Sequence, residues 1–331
     1  MKIGKVPQDV LERLVLSNLG TRRSDVLVHS RIGEDCSVID FGDFVCVVST
    51  DPITGAAANI GWLAVHISCN DVAANGAEPV GLLITVMVPP DACEGDIGRV
   101  MKDADRAARS LGVEILGGHS EVTSAVTRVT VVSTALGKAR KDAFVTSSGA
   151  RPGDYLILTK VAGLEGTAIL AADLEERLLK GGMEPQEIAC AKAFIENISV
   201  VREGMIAAAN GATAMHDVTE GGVIGAVFEL CEASGVGLKV WEERIPVAPE
   251  TRNICSLLGI DPLRLTSSGC MLISAVCAKR VVGALEEAGI PATVIGEIVE
   301  PGRGRVLVRQ DGKEVEVLPP ERDELYKAFE I

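Results

Sequence analysis

Aromatic residues are scarce: six Phe, two Trp and two Tyr make up 3% of 331 residues, whereas glycine occurs 35 times. A core without large rings must be filled by small aliphatics, and so many glycines imply frequent backbone turns, as in folds that mix helices with strands. With 47% hydrophobic residues the chain has ample material for a core, which excludes a disordered chain. Its length exceeds the usual single-core size, so two domains are expected.

Positive charge is also short. Lys and Arg number 32 against 46 Asp and Glu, a net charge of −14 that repels a nucleic-acid backbone unless a basic face is set apart. The densest basic run, "GKARKDAF" at 137–144, is brief and has no interleaved aromatics, so it reads as a solvated turn. Nucleic acid is not an expected partner.

Long apolar runs are missing. The most apolar stretch, "VGLLITVMV" at 80–88, is about half of what a membrane-spanning helix needs and is bounded by Pro79 and Pro89, so it reads as a buried strand. Asp9 and Glu12 interrupt the opening segment where a secretion signal would be apolar, which points to a cytoplasmic protein with no membrane partner. None of the nine cysteines forms a CxxC pair, and Cys36, Cys69, Cys231 and Cys270 stand in apolar surroundings, as buried reduced thiols do.

Standard nucleotide loops are absent too. There is no GxxxxGK[ST] and no GxGxxG after a first strand, which removes a P-loop ATPase and a Rossmann dehydrogenase. "GHSEV" approaches the GxSxG hydrolase elbow, but Val122 stands where the tight turn demands glycine, so Ser120 is not expected to be a nucleophile.

What is present alternates between strand and helix patterns. A helix is expected over 7–18, with Val10, Leu11, Leu14 and Val15 on one face, then strands at 36–40 and 44–50, a helix over 59–75 and the strand at 80–88. A helix over 94–111 and strands at 113–116 and 127–136 complete a first unit. The polar, turn-rich segment 141–154 is the candidate junction, dividing the chain into 1–145 and 146–331. Beyond it a strand at 155–160, a largely helical stretch over 163–209, a strand at "ATAMHDV" and further alternating elements form a second unit.

Four acidic residues sit at the ends of apolar strands or among small residues: Asp35, Asp51, Asp71 and Glu121. Carboxylates gathered together repel one another unless a cation joins them or some keep their protons. Mg2+ takes oxygen ligands at about 2.1 Å and commonly bridges carboxylates to nucleotide phosphates, and Asn70 adds a neutral oxygen beside Asp71. Two glycine pairs supply a complementary feature. "ILGGHSEV", with Gly117 and Gly118, and "HDVTEGGVIGA", with Gly221 and Gly222, each leave an apolar strand, and the second opens a helix whose free amides suit an anion. Each residue has a bland reading as well, as a turn residue, a cap or a solvated face.

Six ordered segments, "GEDCSVI", "STD", "NIGWLAVHISCNDVAANGAEP", "GVEILGGHSEV", "HDVTEGGVIGAVFELCEASGVGL" and "IPVAPETRNICSLLGIDPLRLTSSG", resemble the superfamily of aminoimidazole ribonucleotide synthase. It includes thiamine-monophosphate kinase, selenophosphate synthetase and the hydrogenase maturation protein HypE, to which the later segments are most similar. The resemblance implies a PurM-like α+β fold: an N-terminal four-stranded sheet with helices that closes an eight-stranded barrel in a homodimer, and a C-terminal α/β domain. It implies ATP held through Mg2+ on Asp35, Asp51, Asp71 and Glu121, with Gly33, Asn70, Gly117, Gly118, Gly221 and Gly222 near the nucleotide. It also implies phosphoryl transfer to a small-molecule acceptor, with phosphorylation or dehydration as the outcome. His119, Asp217 and Glu220 are the candidate catalytic groups, and His216 is expected to pack.

The chain departs from the HypE pattern in three places. It ends "ELYKAFEI", with Cys277 its last cysteine, where HypE carries a terminal cysteine. Ser268 stands where HypE has a glutamate, and His119 where it has an aspartate. A nucleotide-binding partner in a maturation complex, without catalysis, is therefore the competing expectation.

Overall fold

The computed structural model describes residues 4–53 and 59–330. Two sheets divide the strands. The first holds β1 (Val26–Val28), β2 (Ser37–Asp40), β3 (Phe44–Ile53), β4 (Glu78–Val88), β5 (Glu114–Val122) and β6 (Thr130–Arg140), in the order β1-β2-β3-β6-β4-β5. The second holds β7 (Tyr155–Thr159), β8 (Ala212–Val218), β9 (Gly237–Trp241), β10 (Cys270–Ala275), β11 (Ala292–Val299), β12 (Arg305–Val308) and β13 (Glu314–Glu316), in the order β13-β12-β9-β11-β7-β10-β8. The helices are α1 (Gln8–Leu11), α2 (Ile60–Ala74), α3 (Glu94–Leu111), α4 (Leu164–Asp173), α5 (Glu175–Lys180), α6 (Pro185–Lys192), α7 (Val201–Ala209), α8 (Gly222–Ser234), α9 (Pro249–Leu258), α10 (Ala278–Glu287) and α11 (Glu324–Glu330).

The first sheet is wider than expected. Its four long strands, β3, β6, β4 and β5, are extended by the hairpin strand β2 and the short β1, giving six. In the second sheet only β9 and β12 run parallel, so the expected α/β unit is instead a mixed, mainly antiparallel sheet with helices, an α+β arrangement. Residues 141–154 contain neither helix nor strand.

Three local expectations change. The N-terminal helix covers only Gln8–Leu11, continues as a wider π-type turn over Glu12–Leu16, and leaves Leu14 and Val15 about half exposed. The strand expected at 113–116 runs on to Val122, because its parallel ladder with β4 continues through the glycine pair with a bulge at Leu82/Leu83. A short C-terminal helix, α11, has too little sequence pattern to announce itself.

Helix α2 is central. Every residue from Ile60 to Ala74 except Ile67 is buried, as a helix apolar on all faces should be. Small residues permit this closeness: a Cβ on Gly61 would stand 2.0 Å from the Val100 carbonyl oxygen of α3. On the other side the Asn70 amide donates to Ile198 O at 2.7 Å and accepts from Val200 N at 2.8 Å, fastening α2 to the segment that leads into α7. Among the described residues no helix is long and apolar enough to cross a membrane, and all nine cysteines are free.

Candidate functional site

Asp35 precedes β2, Asp51 lies in β3 and Asp71 in α2, and all three line one cavity of about 210 Å³. Strand pairing and the packing of α2 on β3 bring them together from distant stretches of chain. Asp71 is 2% exposed, and its Oδ2 accepts from Ser49 Oγ at 2.5 Å. Burial holds its pKa well above the ordinary carboxylate value, and the charges of Asp217, Asp51 and Asp35 push the same way. Asp51 is raised mainly by burial, with its contact to Asp71 acting in the opposite direction.

Asp217, on β8, is buried, and neither carboxylate oxygen has a hydrogen-bond partner. Burial, followed by the charge of Asp35, pushes it up to about 7. Its neighbour His216 is not a packing residue. His216 Nδ1 lies 3.0 Å from Asp35 Oδ2 and Nε2 lies 3.0 Å from Glu229 Oε2 on α8, while Glu229 Oε1 takes the Lys5 ammonium at 3.1 Å. Burial opposes charge on the imidazole, but the two carboxylates outweigh it and raise its pKa well above the usual histidine value. Reciprocally, burial would raise Asp35, and the His216 charge overrides it to hold Asp35 low.

A buried carboxylate without a partner is costly, so the two free oxygens of Asp217 beside the Asp51–Asp71 pair mark a place suited to a cation. Among the described residues, no group of three or more His, Cys, Asp or Glu side chains stands placed to hold a metal ion. Asp35 is turned to His216 and Asp71 to Ser49 and Asp51. The donors are hard oxygens, the chemistry that Mg2+ selects.

The remaining sequence candidates divide. Glu220 lines the cavity. Gly221 and Gly222 open α8 as expected, but the Gly221 amide donates to Asp323 Oδ2 at 2.6 Å, so a carboxylate of this chain already takes that anion position. His119 and Glu121 lie on β5 with their side chains 66% and 52% exposed and 3.4 Å apart, outside the cavity lining. Gly117 and Gly118 continue β5 instead of opening a turn, and Gly118 lies so close to β4 that a Cβ would meet Ile84 O at 1.8 Å. Gly33 serves packing: a Cβ there would stand 2.8 Å from Glu229 O on α8. Asn70 faces Ile198 and Val200, so its amide is spent on fastening α2 and not on a ligand.

Sequence reasoning missed Lys5, Glu165, Asp323 and Tyr326, all of which line the cavity, as does Ser268, noted there only as a departure from HypE. Glu165 follows the apolar strand β7 just as Asp35 and Asp51 attend strands, so the same criterion finds it. Lys5 and Asp323 reach the cavity from the two ends of the chain and carry no local signal.

Comparison with known proteins agrees with this architecture. Residues 33–139 match the family model described as AIR synthase related protein, N-terminal domain, and residues 151–309 match AIR synthase related protein, C-terminal domain. The chain is 26% identical over 329 residues to a putative hydrogenase expression/formation protein of Methanocaldococcus jannaschii, covering 96% of this chain and 94% of that protein. It is 31% identical over 277 residues to the carbamoyl dehydratase HypE of Cupriavidus necator, covering 80% of this chain and 76% of that one. A crystal structure of the hydrogenase maturation protein HypE in complex with ATP superposes with a TM-score of 0.72 at 23% identity, covering 97% of each chain. With both family models matched in order over its two sheets, this chain belongs to the AIR synthase related family and has its two-domain PurM-like fold.

Proposed function

We propose that this protein is an ATP- and Mg2+-dependent enzyme that phosphorylates, or dehydrates through phosphorylation, a small acceptor. The observation that carries the reading is the convergence of Asp35, Asp51 and Asp71 on one cavity beside the unpartnered carboxylate of Asp217. These groups would hold Mg2+, which neutralises phosphate charge and orients the transferred group. Lys5 is the one cation against six carboxyls among the cavity-lining residues, and its ammonium would face the phosphates. The volume of about 210 Å³ lies below the roughly 300–1,000 Å³ of whole-ligand pockets, which supports a reading in which phosphates enter and the base stays outside.

The relatives support the same class, since one is named a carbamoyl dehydratase and a structural neighbour was solved with ATP. Strand β5 leaves a nine-residue sheet edge open, with Leu116 and Val122 at least half exposed, which supports pairing with a second copy in a homodimer. His119 and Glu121 would then act at that interface. Asp217 and Glu220 are the candidates for orienting a water or acceptor.

Release of ADP from ATP and MgCl2 tests the reading. Turnover that vanishes in Asp71→Asn is the expected result, and a wild type that binds no Mg·ATP rejects it. Binding without turnover across hydroxyl and amide acceptors would instead favour the non-catalytic partner of a maturation complex, a reading supported by Asp323 capping α8.

A further inference from the structure

Another wall of the cavity comes from the second half of the chain. Glu165, in the first turn of α4, is 6% exposed, and its Oε2 accepts from Thr266 Oγ1 at 2.9 Å. The Gly166 amide donates to Thr266 O at 3.0 Å, so the start of α4 and the 266–268 stretch are held as one unit. Ser268 is 1% exposed and also lines the cavity. Its hydroxyl stands near the Glu165 carboxylate but has no hydrogen-bond partner.

Two features make this wall more than a helix start. An acidic residue near a helix N-terminus is ordinarily solvated, where the dipole favours its charge. Glu165 is instead enclosed, and burial raises its pKa despite the Thr266 bond and the nearness of Ser268. The buried Ser268 hydroxyl beside it has no partner, and both residues line the cavity.

We propose that Glu165 is the general base that takes the acceptor's proton, and that Ser268 Oγ holds the acceptor by a hydrogen bond. This rests on the nucleotide reading above. The acceptor oxygen bonds to the γ-phosphorus as the bond from that phosphorus to the ADP oxygen breaks; the bonding pair leaves with ADP, and the acceptor's proton passes to a Glu165 carboxylate oxygen. Six carboxyls line the cavity against one lysine, so the acceptor is an uncharged or cationic small molecule bearing a hydroxyl or amide group. An anionic acceptor would meet repulsion.

The smallest such acceptor is water, so Mg·ATP alone serves as probe. Glu165→Gln keeps an oxygen for Thr266 and should slow ADP release by about 100-fold, the scale of a lost general base, while the thermal shift produced by Mg·ATP stays at the wild-type value. The wild-type rate should rise with pH along an ionisation lying above the ordinary glutamate range, and the variant should lose that limb. Glu165→Asp should restore part of the rate. Wild-type rate and pH profile in Glu165→Gln would overturn the assignment and leave the nucleotide reading intact. Parallel loss of Mg·ATP binding would assign Glu165 to binding and overturn it as well. A wild type that binds no Mg·ATP would remove both readings together.

Discussion

Asp323 Oδ2 accepts the Gly221 amide at 2.6 Å, so the first free donor of α8 is capped by a carboxylate from the other end of the second half. Burial pushes Asp323 up to about 7 although the Leu325, Gly221 and Thr266 amides pull it down. The folded protein therefore keeps a proton there that the unfolded chain gives up near the usual aspartate value. The contribution of this group should fall as pH rises from about 4 through about 7 and level off above that. Asp217, also pushed up to about 7, adds to the same slope. In thermal unfolding between pH 4 and 8, Asp323→Asn should show a shallower decline and the larger gain at pH 8.

His216 is flanked by Asp35 and Glu229 at 3.0 Å on either side. Replacing it with Asn removes the cation shared by Asp35 and Glu229, although Glu229 keeps Lys5 and Asp35 is partly exposed, and should cost about 1–3 kcal/mol in urea unfolding at neutral pH. Because the folded pKa of His216 is raised, its contribution is complete below the unfolded value near 6.5 and is lost as pH climbs through the folded one. The variant should accordingly lack the alkaline part of the wild-type decline.

Asp71→Asn should raise the melting temperature without metal, since the amide can still accept from Ser49 and has no ionisation for burial and the neighbouring carboxylates to disfavour. Added MgCl2 should stabilise the wild type and leave the variant unchanged. Parallel melts with and without magnesium read the difference directly.

Leu116 and Val122 stand exposed on the open edge of β5. If that edge meets a second copy, wild-type protein sediments at twice the monomer mass, and Val122→Lys shifts it toward monomer with little change in unfolding free energy. Gly118→Val tests the other side of the same strand. Its side chain would collide with Ile84 O, so both association and stability should drop.

Local pattern carried much of this architecture. Apolar, β-rich runs marked β3 and β4, and the Gly221–Gly222 pair marked the start of α8 within a residue. The pair Gly117–Gly118 misled, since pairing with β4 overrides the turn tendency of glycine there. That Asp35, Asp51 and Asp71 share a cavity was legible from strand ends and a helix of small residues, whereas Lys5 meets Glu229 across 224 positions and leaves no trace in either neighbourhood. His216 looked apolar by its surroundings; only the fold reveals that Asp35 and Glu229 come from two other elements to enclose it.

The bolt formed by Asn70 has a mechanical consequence. Asn70 grips the peptide units around Ile198 and Val200, and the very next residue is Asp71. The stretch leading into α7 is thus tied to the backbone that carries Asp71, so a shift of that stretch displaces α2 at the residue next to the carboxylate.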